Sequence, residues 1–143
     1  AHFKPVVLLV ADAGFQGYGQ LFAVSDRMIA AKPDLVQRFV DASIEGWYAY
    51  LYGDPTPGND AIKRDNPDMK DDLLAYGREA MKRNGIVDSG DAQSLGIGAM
   101  TDARWAAFTD AMVAEGVYPK GIDAKRGYTL QFVDKKVGME MKR

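Results

Sequence analysis

Five residues between positions 12 and 19 are of types, and at a spacing, suited to holding a small ligand. Asp12 supplies a carboxylate that accepts hydrogen bonds, and Phe15 and Tyr18 supply flat rings that can stack on a heterocycle. Glycines let the backbone come close to a bound molecule. The predicted ligand-binding residues are therefore Asp12, Gly14, Phe15, Tyr18 and Gly19.

A carboxylate at position 12 favours a cationic or amine-bearing heterocycle, such as an aminopyrimidine, because it would repel a bare sulfonate or nitrate. Each residue also has a purely structural alternative. Asp12 can hydrogen-bond the backbone of its own turn, and the glycines, including Gly17, can serve turn positions with positive φ. Tyr18 can pack beneath the turn. At this level, ligand contact and turn packing both stay open.

The segments beside this turn are expected to be strands. Val6–Val10 is a continuous run of valine and leucine, typical of a strand buried on both faces, and Leu21–Val24 is a second, shorter candidate. Tyr128–Val133 is ambiguous between a strand and a last helical turn. Because a stable sheet usually needs at least three strands, we expect the missing partners to lie outside this chain or in a second copy. The start at Ala1, without a methionine, is likewise expected of part of a longer protein.

Helical signals dominate the rest of the chain. Lys32-Pro33-Asp34 places a proline and an acid in a first helical turn, where both are favoured. Apolar residues at three- and four-residue spacing then continue to Leu51, and we expect Trp47 and Trp105 to lie in the core. The segment SLGIGAM is expected to be a loop. The other predicted helices are a short turn after Ser25-Asp26, Thr56–Arg64, Asp68–Arg83 and a helix from Thr101 to Glu115-Gly116.

Composition excludes several classes of function. The chain has 143 residues, 47% of them apolar and 27% charged, which suits one folded domain. A net charge of −2 gives no reason to expect a nucleic-acid partner, and no apolar run approaches the roughly 20 residues that span a bilayer. Cysteine is absent and His2 is the single histidine, so neither a thiolate site nor an imidazole cluster can form. We expect no enzyme activity, catalytic residue, bound metal or cofactor.

Taken in order, these features resemble a known family. A strand, the turn GFQGYG, and then LFAVSDRMIAAKPDLVQRFVDASIEGWYAYLYGDP are similar to the second half of periplasmic substrate-binding proteins of the nitrate/sulfonate/taurine and thiamine-pyrimidine-precursor type. The later stretch LGIGAMTDARWAAFTDAMVAEGVYPKGIDAKRGYT is similar to the closing pattern of that family. The resemblance runs from about Val6 to Val133.

The resemblance implies an α/β fold of the periplasmic binding protein type II kind, here a helix-rich partial lobe with two or three strands. It treats residues 1–143 as a single partial domain. Within that domain, residues 1–24 would be hinge crossover strands and residues 25–133 the C-terminal helical part of lobe one. Residues 134–143 would be a basic tail.

The function implied is that of the solute-binding component of an ABC importer, located in the periplasm or another extracytoplasmic space. Two lobes, of which this chain is about half, would clamp a small polar ligand that is thiamine-pyrimidine-like or sulfonate/nitrate-like. An ABC permease would be the protein partner, with no direct membrane insertion. Fungal thiamine-pyrimidine synthases share the implied fold, but GFQGYGQLFAVSD lacks their cysteine-rich motif. The alternative is a non-binding interaction domain that self-associates, for example as a strand-swapped dimer.

Overall fold

The computed structural model describes residues 6–15 and 17–142, and within these ranges it contains helices and turns but no β-strand. The predicted α/β fold class, a type II-like partial lobe with two or three strands, is therefore wrong for this chain. His2 and Arg143 lie outside the described residues. The α-helices are α1 (Asp26–Ala31), α2 (Pro33–Tyr52), α3 (Thr56–Asp65), α4 (Asp71–Arg83), α5 (Ala92–Leu95) and α6 (Asp102–Ala114), and the 3₁₀-helices are Val10–Ala13, Ala124–Arg126 and Met139–Met141.

The segments predicted as strands have no strand partner among the described residues. Val6 is 86% exposed and Leu8 is 88% exposed, so the expected burial on both faces does not occur. Val10 already begins a 3₁₀-helix, and Leu21–Val24 and Tyr128–Val133 contain no strand. The physical reason is that a strand pairs its backbone groups with a neighbouring strand. Valine and leucine raise β-propensity but cannot supply that neighbour.

Local capping signals place the helices as predicted. The Ser25 side chain accepts a hydrogen bond from the Met28 N–H (3.2 Å) and begins α1. Pro33 occupies the first turn of α2, and the chain leaves that helix at Gly53. The Thr101 side chain caps α6 by accepting from the Arg104 N–H. These helix starts are confirmed because each depends on residues within one turn of sequence.

The helices differ from the predictions in their details. α4 begins at Asp71 rather than Asp68, because Asn66 holds the chain in a turn. The Asn66 side chain accepts from the Asp68 N–H (3.2 Å), and its carbonyl accepts from the Met69 N–H (3.1 Å). Part of the SLGIGAM segment belongs to the short helix α5 instead of a loop. Both differences come from hydrogen bonds that compete locally with helix or loop geometry.

The described residues fall into two compact units. One contains the residues up to Ala23 together with Thr101–Thr129, and the other contains Val24–Met100 together with the residues from Leu130 onward. The second unit has a core of four buried residues, Ile44, Tyr48, Leu51 and Ile97. Tyr48 is 1% exposed, and its hydroxyl accepts a hydrogen bond from the Ile97 N–H at 3.1 Å. This bond ties α2 to the loop after α5.

The apolar face of α2 is only partly covered. Tyr48 is buried as predicted, but Trp47 is 36% exposed and Phe39 is 55% exposed, so the prediction that Trp47 lies in the core is wrong. In α4, Leu73 is likewise 49% exposed. Amphipathic spacing identifies an apolar stripe but not how much of its width another element covers. No helix in the described ranges has the length and apolar character needed to cross a membrane.

Candidate functional site

The predicted ligand-binding residues occupy a short 3₁₀-helix and the turn that follows it, all in the first unit. Asp12 lies in the 3₁₀-helix Val10–Ala13 and is exposed. Gly14 ends that helix at φ 89°, a left-handed conformation that favours glycine. Gly19 is exposed, and a Cβ placed there would meet no described atom within 4 Å. Asp12, Gly14 and Gly19 therefore form the outer side of the turn.

Tyr18 lies on the inner side of the turn and joins it to α6. Its hydroxyl accepts a hydrogen bond from the Thr101 N–H at 2.8 Å, and the Arg104 guanidinium stands 4.4 Å from the centre of its ring. Arg104 also donates to the Gly17 carbonyl at 3.0 Å. The structure thus gives Tyr18 the packing role that the sequence left open beside ligand contact.

Aromatic rings fill the space between the turn and α6. Trp105 stacks on Tyr128 with ring centres 4.8 Å apart and contacts Tyr18 at 5.1 Å. Phe15 packs edge-on against Phe108 at 5.7 Å, although its side chain stays 45% exposed. Edge-on and offset ring pairs of this kind add stability beyond the area that they bury. Phe15 and Tyr18 therefore join the two described parts of the turn to α6.

Tyr128, Asp102 and Lys125 form a polar cluster in this unit that the sequence did not predict. The Tyr128 hydroxyl donates to the Asp102 carboxylate, and Lys125 lies 3.5 Å from the same carboxylate. The bond from Tyr128 lowers the pKa of Asp102, and the carboxylate in turn raises the pKa of Tyr128 to about 12. Asp102 shows a sequence signal only as a first-turn acid of α6. Its pairing with Tyr128 depends on how the chain folds back.

The exposed side of the turn carries groups that can form hydrogen bonds. Within residues 6–15 and 17–142 no three acidic or histidine side chains converge on a point where a metal ion could sit. The turn instead offers one exposed carboxylate, Asp12, beside accessible backbone at Gly14 and Gly19. A carboxylate and backbone carbonyls can accept hydrogen bonds from an amine-bearing ligand.

A second cluster of charged groups lies in the other unit. Asp88 is only 7% exposed, and one of its oxygens accepts hydrogen bonds from the Tyr52 hydroxyl and the Lys142 ammonium, the latter at 2.7 Å. Burial alone would raise the pKa of Asp88, but the bonds from Lys142 and Tyr52 outweigh it and lower that pKa. Burial and the bond to Asp88 raise the pKa of Tyr52. Residues predicted as a basic tail thus supply the counter-ion of a buried acid.

Replacing Lys142 with methionine is expected to lower the free energy of unfolding by about 2 kcal/mol. This lies between the values for exposed and for buried ion pairs, because the Lys142 side chain is 43% exposed and that of Asp88 is 8% exposed. The pKa of Asp88 is depressed, so its stabilisation is present above the ordinary value of 3.8 and is lost as the pH falls through its lower folded value. The bond to Asp88 raises the pKa of Lys142. The contribution of Lys142 to stability is therefore complete below pH 10.5 and is lost as the pH rises through its higher folded value.

Urea unfolding at a series of pH values measures this difference between wild type and Lys142→Met. It should be constant from neutral pH down to the ordinary pKa of Asp88 and shrink below it. The matched control is Lys120→Met, because Lys120 is an exposed lysine of the same charge. Equal loss in both variants would show that the pair contributes nothing specific.

Comparison with models of known protein families, with curated proteins and with solved structures finds no match for this chain.

Proposed function

We propose that this chain is part of the solute-binding component of an ABC importer, acting in the periplasm or another extracytoplasmic space. It contributes about half of a receptor that clamps a small polar ligand between two lobes and delivers it to a permease. The turn from Asp12 to Gly19 is its share of the ligand site.

The resemblance to receptors of the nitrate/sulfonate/taurine type supports this proposal. That resemblance depends on the order of a strand, a glycine turn, a capped short helix, a long helix opened by proline and a final capped helix with tryptophan. The strand does not form in the described residues. The chain forms these helices at Asp26–Ala31, Pro33–Tyr52 and Asp102–Ala114, with caps at Ser25 and Thr101. These helices agree with the resemblance in their order along the chain and in their capping residues.

The observation that carries the proposal is that Phe15 and Tyr18 pack against α6 while Asp12 stays exposed. Tyr18 is bonded to the Thr101 N–H, and Phe15 packs on Phe108. A loop held in advance loses less conformational entropy when a ligand binds. This is the property that a receptor loop needs.

The chemistry of the turn favours an amine-bearing ligand. Asp12 supplies a carboxylate, and an ammonium or aminopyrimidine group can donate hydrogen bonds to it. A thiamine-pyrimidine precursor therefore suits this turn better than a sulfonate or nitrate, whose oxygens would face a like charge.

Calorimetric titration tests the function directly. The chain, and the longest protein that its gene encodes, would be titrated with 4-amino-5-hydroxymethyl-2-methylpyrimidine, taurine and nitrate. We expect saturable binding of the aminopyrimidine by the gene product. If none of the three compounds binds to either protein, the proposal fails.

Asp12→Asn is expected to weaken aminopyrimidine binding by about 10- to 100-fold, because a hydrogen bond to a charged group contributes about 1.5–3 kcal/mol. The melting temperature should not change, since Asp12 is exposed. Asp110→Asn, an exposed acid on α6, is the control and should bind normally. Unchanged affinity in Asp12→Asn would show that this carboxylate only shapes the turn.

One observation favours the second candidate function, self-association. The apolar run at the start of the described residues is exposed, with Val6 at 86%, Val7 at 64%, Leu8 at 88% and Val10 at 71%. Leu9 within it has extended backbone angles, φ −85° and ψ 126°. An exposed, extended apolar segment is a template for pairing with another chain. A second copy of this chain would supply one.

Leu8→Lys is expected to convert a self-associated form to a monomer, because a lysine blunts an exposed apolar edge. Sedimentation velocity reports the change. Val117→Lys is the control, since Val117 is 63% exposed outside the run. A wild-type chain that sediments as a monomer at every concentration would exclude this second candidate. The receptor function would be unaffected.

A further inference from the structure

A groove in the second unit is open between three helices. It has a volume of about 470 Å³ and is lined chiefly by apolar side chains. Its lining includes Trp47 and Tyr50 of α2, Ile62 of α3 and Leu73 of α4. Trp47, Ile62 and Leu73 are each more than a third exposed. These exposed apolar side chains therefore lie in the groove and not in the core.

Two glycines line the groove at positions where no described neighbour would clash with a side chain. Gly46 is in the interior of α2 and Gly77 in the interior of α4, where glycine destabilises a helix relative to alanine. A Cβ at either position would meet no described atom within 4 Å. Gly58 differs, because a Cβ there would lie 2.9 Å from the Tyr50 ring. Gly46 and Gly77 leave bare backbone facing the groove, with room for atoms from outside.

The polar side chains of the lining are turned toward protein partners. The Ser43 hydroxyl donates to the Phe39 carbonyl at 2.7 Å, and the Tyr50 hydroxyl donates to Asn59 at 3.1 Å. Arg78 donates to backbone carbonyls at the end of α2, at 2.7–3.2 Å. The groove therefore presents apolar surface, and a charged ligand would lose its hydration there without compensation.

The size of the groove favours a small molecule over a protein segment. Its lining on α2 runs from Ser43 to Gly46, Trp47 and Tyr50, which is about 10 Å at 1.5 Å per residue. A stable protein interface buries about 800 Å² on each partner, far more than two helical turns provide. Small-molecule pockets occupy about 300–1,000 Å³, and this groove falls in that range.

We propose that the groove between α2, α3 and α4 binds a small, uncharged apolar or aromatic molecule, which packs between Trp47 and Leu73 over the bare backbone of Gly46 and Gly77. This site lies wholly within the second unit, whereas the glycine turn belongs to the first. The proposal does not depend on the receptor function.

Fluorescence titration with the neutral probe N-phenyl-1-naphthylamine tests the site on the complete 143-residue chain. We expect saturable binding at one site. Gly77→Leu should weaken it by at least about tenfold, because the added side chain occupies space that the probe needs. The control is Ala75→Leu, which adds similar bulk at an exposed position of α4 outside the lining. It should bind like wild type.

Gly46→Ala and Gly77→Ala separate binding from folding. Each is expected to raise the melting temperature, because alanine favours a helix, and to weaken probe binding by adding a methyl group to the groove. Three results would overturn the proposal. These are non-saturable binding, equal affinity in wild type and Gly77→Leu, or a wild-type dimer that Gly77→Leu dissociates, which would make the groove a protein interface.

Discussion

Replacing Arg78 with methionine is expected to lower the free energy of unfolding by about 3 kcal/mol, the largest loss that we anticipate from an exchange of one polar side chain. The last four carbonyls of an α-helix have no partner within the helix. At the end of α2 the Arg78 guanidinium supplies donors, to the carbonyls of Tyr50 (2.7 Å), Leu51 (2.8 Å) and Gly53 (3.2 Å). Methionine keeps the apolar stem but leaves these carbonyls without their donor.

Urea unfolding, monitored by circular dichroism, measures this loss. Arg78→Lys should recover only part of the stability, because an ammonium cannot span several carbonyls as a planar guanidinium does. Arg64→Met is the control, since the Arg64 side chain is 76% exposed and its ion pair with Asp65 is 3.7 Å long. If Arg64→Met destabilises the chain as much as Arg78→Met, capping of α2 is not the cause.

Gly138→Ala is expected to destabilise the chain by about 3 kcal/mol through two additive causes. Gly138 has φ 69°, a left-handed conformation that strains any residue with a Cβ. A Cβ at this position would also lie 2.8 Å from a ring carbon of Tyr48. Tyr48 is 1% exposed and its hydroxyl is bonded to the Ile97 N–H, so the ring has no room to move.

Gly116→Ala isolates the steric cause of this loss. Gly116 has φ 71°, close to that of Gly138, but a Cβ there would meet no described atom within 4 Å. It should cost about 1 kcal/mol, for the backbone alone. Thermal unfolding of both variants gives the difference. Equal losses would mean that the segment around Gly138 does not press on Tyr48.

The helices were predictable because their signals are local. Ser25 and Thr101 are followed within three residues by the N–H groups that they cap, and Pro33 acts on its own turn. The strands were not predictable in the same way. Val6–Val10 has the composition of a buried strand, yet strand formation depends on a partner that the described residues do not contain.

The sequence suggests candidate site residues, but it does not reveal how they are arranged. Asp12, Phe15 and Tyr18 are identifiable as ligand-type residues beside glycines. That Tyr18 faces α6 while Asp12 stays exposed follows from a hydrogen bond to Thr101, 83 residues away. No spacing within the turn reveals this long-range hydrogen bond.

By itself the sequence determined the positions of the capped helices and excluded cysteine and histidine-cluster chemistry. Only the tertiary structure decided which apolar residues are covered, that Lys142 neutralises Asp88, and that Arg78 closes α2. The physical reason is the distance along the sequence over which each kind of interaction acts. Caps and turns involve hydrogen bonds across three or four residues, whereas burial and long-range pairing depend on where the whole chain places its remaining surfaces.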